Sequence, residues 1–309
     1  MAFNYLHSTV YFDGTFVPFS RANVSIASSS VLYGLTVYTV FNVNWNDEQK
    51  KLHIFRLKDH YKRLVNSARI MDFHSFRDEY SYEAFEKIML ELLRRNDIQE
   101  DALVRVAVYI DELIAGTKIH GLKNALSAYI YPFGQILNPK GIHACVSSWV
   151  RTQDNAQPSR AKINGSYINA SLMKNEALLN GYEEAIALDH NGHVSEGTVA
   201  NLFIVRDGTL ITPDKSTDLL EGITRASIIE IAKEQGIKTE QRAVDRSELY
   251  IADELFMCGS SARIVPILSV DKRPIGNGRP GQMTKRLAEQ YADVQRGKAE
   301  DTHRWLTTL

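Results

Sequence analysis

Along the first fifty residues, apolar and β-branched side chains come in short runs broken by turn residues. Thr9-Val10-Tyr11-Phe12-Asp13-Gly14-Thr15-Phe16-Val17-Pro18 sets two β-rich runs around Asp-Gly, which predicts a hairpin. Tyr33-Gly34-Leu35-Thr36-Val37-Tyr38-Thr39-Val40-Phe41-Asn42-Val43 is dense in β-branched and aromatic residues and reads as one long strand. After Ile54-Phe55-Arg56 the period changes. Leu57, Tyr61, Leu64, Val65 and Ala68 recur at helical spacing, as do Phe85, Ile88, Met89, Leu92 and Leu93, so two amphipathic helices are expected. Strands resume at Leu103 to Ile110 and Leu126 to Tyr131, and the Pro- and Gly-punctuated stretch 132–142 reads as a linker.

The second half opens with a strand at Ala144 to Trp149 and a loop that holds Lys162. A helix is expected from Tyr167 to Leu179, stopped by Asn180-Gly181 in a left-handed turn. Hairpins follow at Asn191-Gly192 and Asp207-Gly208. Gly222-Ile223-Thr224-Arg225 then opens a helix with Ile228, Ile231 and Ala232 on one face, ended by Gly236. A further short helix, strands at Glu254 to Met257 and Ile264 to Val270, and a helix from Met283 complete the pattern. Mixed strands and helices with many hairpins predict an α+β, or mixed α/β, fold rather than a doubly wound parallel sheet. A chain of 309 residues is large enough for about two cores, giving an N-terminal α/β domain at 1–131 and a C-terminal domain at 143–309.

Charge narrows the partners. Lys plus Arg number 36 against 37 for Asp plus Glu, without blocks of one sign, so neither nucleic acid nor an anionic membrane is expected to bind. Cys145 and Cys258 lie apart with no metal-ligand spacing, which fits buried thiols in a reducing compartment. The N-terminus carries no basic region, and no run reaches eighteen apolar residues; a cytoplasmic protein is expected.

Two motifs mislead. Gly276-Asn277-Gly278-Arg279-Pro280-Gly281 satisfies G-x-G-x-x-G, but a dinucleotide site needs a βαβ unit around it, and fewer than thirty residues remain. His190 and His193 flank a hairpin tip with no further ligands at close spacing, so they read as surface histidines and no metal site is expected. Gly259-Ser260-Ser261 lacks the second glycine of a serine-nucleophile elbow. Its small residues instead suit backbone N–H groups approaching an anion.

The chemistry concentrates elsewhere. Lys162 can form a Schiff base with an aldehyde, and Glu196 can hold a pyridine nitrogen protonated; these are the two protein groups that pyridoxal phosphate demands. Gly222-Ile223-Thr224 opens a helix whose unsatisfied N–H groups favour a phosphate, and Arg56 can add a charged fork. Each residue alone has an ordinary reading: a solvated lysine, a turn glutamate, an N-cap, a surface arginine. The set serves one cofactor.

With Ala161-Lys162 to Tyr167, Val194-Ser195-Glu196-Gly197, Asn201-Leu202-Phe203 and Gly222-Ile223-Thr224-Arg225 in place, the chain resembles the class IV aminotransferases, most of all the branched-chain amino acid enzymes. The resemblance implies a two-domain fold-type IV pyridoxal phosphate enzyme, at least a homodimer. It implies that Lys162 binds the aldehyde and shuttles the proton, that Tyr167 bonds the phenolic oxygen, and that Glu196 bonds the ring nitrogen. Arg56, Ile223, Thr224 and Ser260 would hold the phosphate, and Ser260 with Ser261 the substrate carboxylate. Tyr33 and Tyr38 would line the side-chain pocket, and Arg105 would pair with the distal carboxylate of glutamate. The reaction implied moves the amino group of leucine, isoleucine or valine to 2-oxoglutarate. Leu103 and Val106 depart from the family's usual tyrosine and proline, and Tyr38-Thr39-Val40 is also similar to (R)-amine and D-amino-acid transaminases. Those enzymes, an aminodeoxychorismate lyase and a non-catalytic binding module are the alternatives.

Overall fold

Two kinds of sheet result from these patterns, one in each of two compact units. In the computed structural model, which describes residues 4–114, 116–134 and 137–309, unit 1 comprises Met1–Gly134, Ala161–Ser166 and Val294–Leu309, and unit 2 comprises Gln135–Arg160 and Tyr167–Asp293. The units interleave along the chain, whereas the sequence suggested a contiguous division at 132–142. Gln135 and Ile136 of that stretch lie outside the described residues.

Unit 1 begins with β1 (Thr9–Phe12) and β2 (Thr15–Pro18). Their turn places Asp13 at φ 45° and Gly14 at φ 81°, the left-handed pair that a tight hairpin requires. There follow α1 (Ser29–Tyr33), β3 (Thr36–Asn46), β4 (Lys51–Phe55), α2 (Leu57–Ile70), α3 (His74–Glu79), α4 (Tyr82–Asn96), β5 (Ala102–Ile110) and β6 (Asn124–Pro132). Every pairing in this sheet is antiparallel. The odd positions of β3 (Val37, Phe41, Val43) join Leu64 of α2 and Phe85 of α4 in one core, while Thr39 reaches His60 of α2. Each large side chain fully buried there contributes about 1.5–3 kcal/mol. The even positions, Tyr38 and Val40, face the other way, beside Arg105, which is registered opposite Val40.

Unit 2 holds β7 (Ile142–Val146), α5 (Tyr167–Leu179), β8 (Glu184–Leu188), β9 (Val194–Gly197), β10 (Asn201–Arg206) and β11 (Thr209–Pro213). It continues with α6 (Ile223–Glu234), β12 (Thr239–Arg242), β13 (Glu254–Gly259), β14 (Arg263–Val270), β15 (Arg273–Pro274) and α7 (Gln282–Gln295). The sheet is mixed, with order β12-β11-β10-β13-β14-β7-β8-β9 and β15 on β14. Its parallel pairs are β11 with β12, β14 with β7 and β7 with β8. Back in unit 1, β16 (Leu306–Thr308) pairs with β4 and completes the order β16-β4-β3-β5-β6-β1-β2. The expected α+β, mixed α/β class is what the two sheets with their helices form.

Several boundaries move for local reasons. Tyr33 ends α1 instead of opening the strand, because Ser28 caps the helix by accepting from Val31 N–H at 3.3 Å and Gly34 stops it at φ 68°. The strand expected at 144–149 ends at Val146, where the Ser147 hydroxyl turns the chain by accepting from Trp149 N–H at 3.0 Å. A third helix, α3, separates the two expected amphipathic ones. The glycine hexapeptide is a turn before α7, with Gly276 and Gly278 at φ 53° and 72°. The first turn of α7 is capped from within the chain: Glu254 accepts from Thr284 N–H at 2.7 Å.

Candidate active site

The sequence-predicted residues divide between the units: Tyr33, Tyr38, Arg56, Arg105 and Lys162 in unit 1, and Tyr167, Glu196, Ile223, Thr224, Ser260 and Ser261 in unit 2.

In unit 1, a mismatch in strand length makes room for Lys162. β3 runs for eleven residues, but β4 pairs only with Val43 to Asn46, which leaves the edge of β3 near Val37 without that neighbour. Ile163 takes the place by bridging Val37, and the Lys162 carbonyl accepts from Tyr38 N–H at 2.9 Å. The Lys162 N–H donates to Ser67 Oγ of α2 at 3.1 Å. Arg105 Nη2 donates to Asn164 Oδ1 at 2.8 Å. Gly165 donates its N–H to the Gly34 carbonyl at 3.2 Å, and a Cβ on Gly34 would lie 2.8 Å from Gly165 Cα, so this contact requires glycine. Four consecutive residues are thus held, and the lysine side chain runs past the Tyr38 ring, its Nζ 4.8 Å from the centroid. Arg105 stacks on that ring at 3.7 Å, a cation on a π face.

Beneath the lysine lies a neutral imidazole. His60 is fully buried, and burial first, then the cations Arg63, Arg56 and Lys162, drive its pKa well below the ordinary value. Thr39 Oγ1 accepts from Arg63 Nη2 at 3.1 Å and lies 2.8 Å from His60 Nδ1. Arg56 occupies the left-handed region at φ 53°, uncommon for a side chain of its size and maintained by its surroundings. Its N–H donates to the Trp305 carbonyl at 2.7 Å, its guanidinium stacks on the Trp305 ring, and its Nε donates to Asp59 at 2.7 Å. Tyr33 is 42% exposed and adjoins Gly34.

In unit 2, Glu196 is buried on β9 among donors. Arg151 Nη2 stands 2.7 Å from Oε1, Asn201 Nδ2 donates to Oε2 at 2.9 Å, and Leu220 N–H donates to Oε1 at 3.3 Å. This set stabilises negative charge on the carboxylate. Asn201 also donates to the Leu220 carbonyl at 2.9 Å and so ties Glu196 to the segment leading into α6. A Cβ on Gly222 would fall 1.9 Å from Asn201 Oδ1, which makes that position glycine-only. No side chain caps α6 at Gly222, and Ile223 and Thr224 form its buried first turn, with Tyr291 donating to Thr224 Oγ1 at 3.2 Å. Ser260 and Ser261 lie in the turn closed by the Gly259–Arg263 pair, and among the described residues neither hydroxyl has a protein partner. Tyr167 opens α5.

Each unit carries donors of the kind pyridoxal phosphate takes: unit 1 an amine on a fixed backbone, and unit 2 a buried carboxylate braced by an arginine and a glycine-opened helix start for an anion. Sequence reasoning missed Ser67, Asn164, His60 and Arg151. Asn164 lies inside the quoted Ala161 to Tyr167 motif and Arg151 two residues past the strand expected at 144–149, and the signal that could have found them is the need of a buried carboxylate and a lysine-bearing loop for local anchors. The doublet His190 and His193 is partly exposed, each imidazole 3.7 Å from an aspartate.

Residues 36–270 match the family model described as amino-transferase class IV. A probable branched-chain-amino-acid aminotransferase of Aquifex aeolicus is 40% identical over 301 residues, covering 97% of this chain and 96% of the relative. The branched-chain aminotransferase of Thermoproteus uzoniensis, solved with norvaline, superposes with a TM-score of 0.92 at 37% identity, over 97% of this chain and 99% of the other. The Thermobaculum terrenum branched-chain enzyme in its PLP form gives 0.92 at 32% identity, over 99% of each chain.

Proposed function

This chain belongs to the class IV amino-transferases, and from that premise we propose that it moves the amino group of a branched-chain L-amino acid to 2-oxoglutarate with pyridoxal phosphate as cofactor. The observation that carries the reading is the backbone-clamped lysine segment 162–165, found in a chain that matches branched-chain enzymes over nearly its whole length. Pyridoxal phosphate, when bound, supplies an aldehyde that condenses with amines and a pyridinium that stores electron density drawn from the α-carbon.

The chain's own groups do the rest. Lys162 Nζ would hold the cofactor through its aldehyde and, once the substrate amine has taken its place, would serve as the base that carries the proton between the substrate α-carbon and the cofactor's former aldehyde carbon. Glu196, kept in place by Arg151 and Asn201, would hold the ring nitrogen protonated. Arg56, the first-turn N–H groups at Ile223 and Thr224, and Ser260 would hold the phosphate. Tyr167 would orient the phenolic oxygen. Tyr33 and Tyr38 line the side-chain pocket, Ser260 and Ser261 receive the α-carboxylate, and Arg105 receives the distal carboxylate of the second substrate. Product leaves before that substrate enters, so kinetics are ping-pong.

The enzyme works as a homodimer or larger homo-oligomer in the cytoplasm. Ile26 at 85% exposure, Val31 at 57% and Leu32 at 53% in unit 1 support such a contact surface. Among the described residues no helix is long and apolar enough to cross a membrane.

A spectral scan against L-leucine, D-alanine, (R)-1-phenylethylamine and aminodeoxychorismate tests the reading. L-Leucine is expected to convert the bound cofactor to its aminated form, reversed by 2-oxoglutarate. Conversion by D-alanine or the (R)-amine but not by L-leucine would overturn it.

A further inference from the structure

Asp72, His74 and His120 bring their ligand atoms within 4.8 Å of one another on unit 1, and none of the three is among the residues assigned above to cofactor or substrate. Asp72 Oδ1 stands 2.6 Å from His74 Nε2, and Oδ2 stands 2.7 Å from His120 Nδ1. The two rings meet edge to face at 5.8 Å. The short spacing from Asp72 to His74 carries no recognisable metal signature, and His120 comes from the β5–β6 connection, so the cluster exists only in the folded chain.

Buried anchors set each ligand. Asp72 sits at φ 58°, with its N–H donating to the Arg69 carbonyl at 3.2 Å, and Phe73 beside it is 2% exposed. His74 opens α3, and its neighbour Ser75 is tied to the start of β6, where Asn124 N–H donates to Ser75 Oγ at 3.0 Å. His120 precedes Gly121, at φ 74°, in a turn closed by Leu122 N–H on the Ile119 carbonyl at 3.2 Å, and Leu122 is 8% exposed. The ligand side chains themselves remain open to solvent, with His120 83% exposed.

We propose that Asp72, His74 and His120 form a binding site for an imidazole-preferring divalent ion, Zn²⁺ foremost, which joins the α2–α3 turn to the β5–β6 connection. A tetrahedral Zn²⁺ with bonds of about 2.0–2.2 Å needs donors about 3.3 Å apart, a spacing between the 2.6 and 2.7 Å carboxylate contacts and the 4.8 Å within which the ligand atoms all lie. Each imidazole offers the lone pair of its ligating nitrogen in the tautomer that carries the proton on the far nitrogen; Asp72 gives one oxygen, and water fills the fourth position. Two imidazoles with one carboxylate favour Zn²⁺ over Mg²⁺ or Ca²⁺, which take oxygen ligands. The ion's part is to brace unit 1, since α2, whose Ser67 receives the Lys162 N–H, ends at this turn.

Equilibrium dialysis of the cofactor-loaded enzyme against Zn²⁺ at neutral pH, with metal measured by atomic emission, tests this site independently of activity. The wild type is expected to hold one equivalent per chain that excess Mg²⁺ or Ca²⁺ does not displace. His74→Ala and His120→Ala are each expected to weaken that equivalent by at least about 10–100-fold, the loss seen when only an outer partner of a ligand is removed. Asp72→Asn, which keeps a residue tolerant of the left-handed turn, should weaken it with the melting temperature unchanged in chelator. Absence of a wild-type equivalent, or binding that all three variants leave intact, would overturn the proposal.

Discussion

Lys162 and Glu196 are held in opposite ways. The lysine segment is fixed through its main chain: an N–H on Ser67, a carbonyl on Tyr38, a bridge to Val37 and a glycine-to-glycine contact. Glu196 is fixed through its carboxylate oxygens by Arg151, Asn201 and Leu220. On the proposed mechanism Lys162 exchanges partners in every turnover, a task that calls for a fixed root and a side chain able to swing. A group that only stabilises charge works best preorganised to its last atom. Substitutions should therefore separate chemistry from stability in the lysine region and merge them in the glutamate region.

Lys162→Ala has the largest expected effect. Turnover should fall by at least roughly 10⁴-fold, the upper range for loss of a general base, while the melting temperature holds because every backbone tie remains. Steady-state kinetics beside a thermal melt checks both. Glu196→Ala is expected to do both kinds of damage: it strands Arg151, whose side chain is 13% exposed, and removing one partner of such a buried pair costs about 3–5 kcal/mol. Urea unfolding measures the loss, and a cost as small as that of Lys162→Ala would erase the contrast.

The contrast was only half legible beforehand. The Lys162 and Glu196 segments stood out as motifs, as did α5, whose expected span matches the observed Tyr167–Leu179. Hidden were the long-range ties: the short β4 that leaves the edge of β3 open, the three-residue β16 that places Trp305 under Arg56, and the Arg151–Glu196 pair. Local periodicity reports burial within an element; which edge accepts a distant segment depends on strand register, a property of the pair. Tyr33 was misread for the related reason that a Ser28 cap and a left-handed glycine outweighed strand propensity.

Smaller effects sharpen the lysine side. Gly34→Ala places a Cβ against the Gly165 backbone at positive φ and should cost about 1–3 kcal/mol, with kcat falling more than KM changes because the lysine root shifts. Arg105→Gln separates two roles, since Arg105 both stacks on Tyr38 and anchors Asn164. A loss of roughly tenfold or more in kcat/KM for 2-oxoglutarate, larger than that for leucine, supports carboxylate recognition; equal losses assign it to holding the lysine segment. The least effect is that of pH on His60. Its folded pKa lies below 6.5, so as pH falls under about 6.5 the unfolded chain takes up a proton that the folded chain refuses. Stability should drop by up to about 1.4 kcal/mol per pH unit in that window, and His60→Gln should flatten the slope in chemical denaturation.

The central claim is that Lys162 is the residue bonded to the cofactor. Borohydride reduction of the loaded enzyme followed by peptide mass mapping tests it most directly. The account predicts one phosphopyridoxyl group per chain, on the peptide containing Lys162 and absent from Lys162→Ala; the group on another lysine, or no covalent adduct from a coloured enzyme, would contradict it.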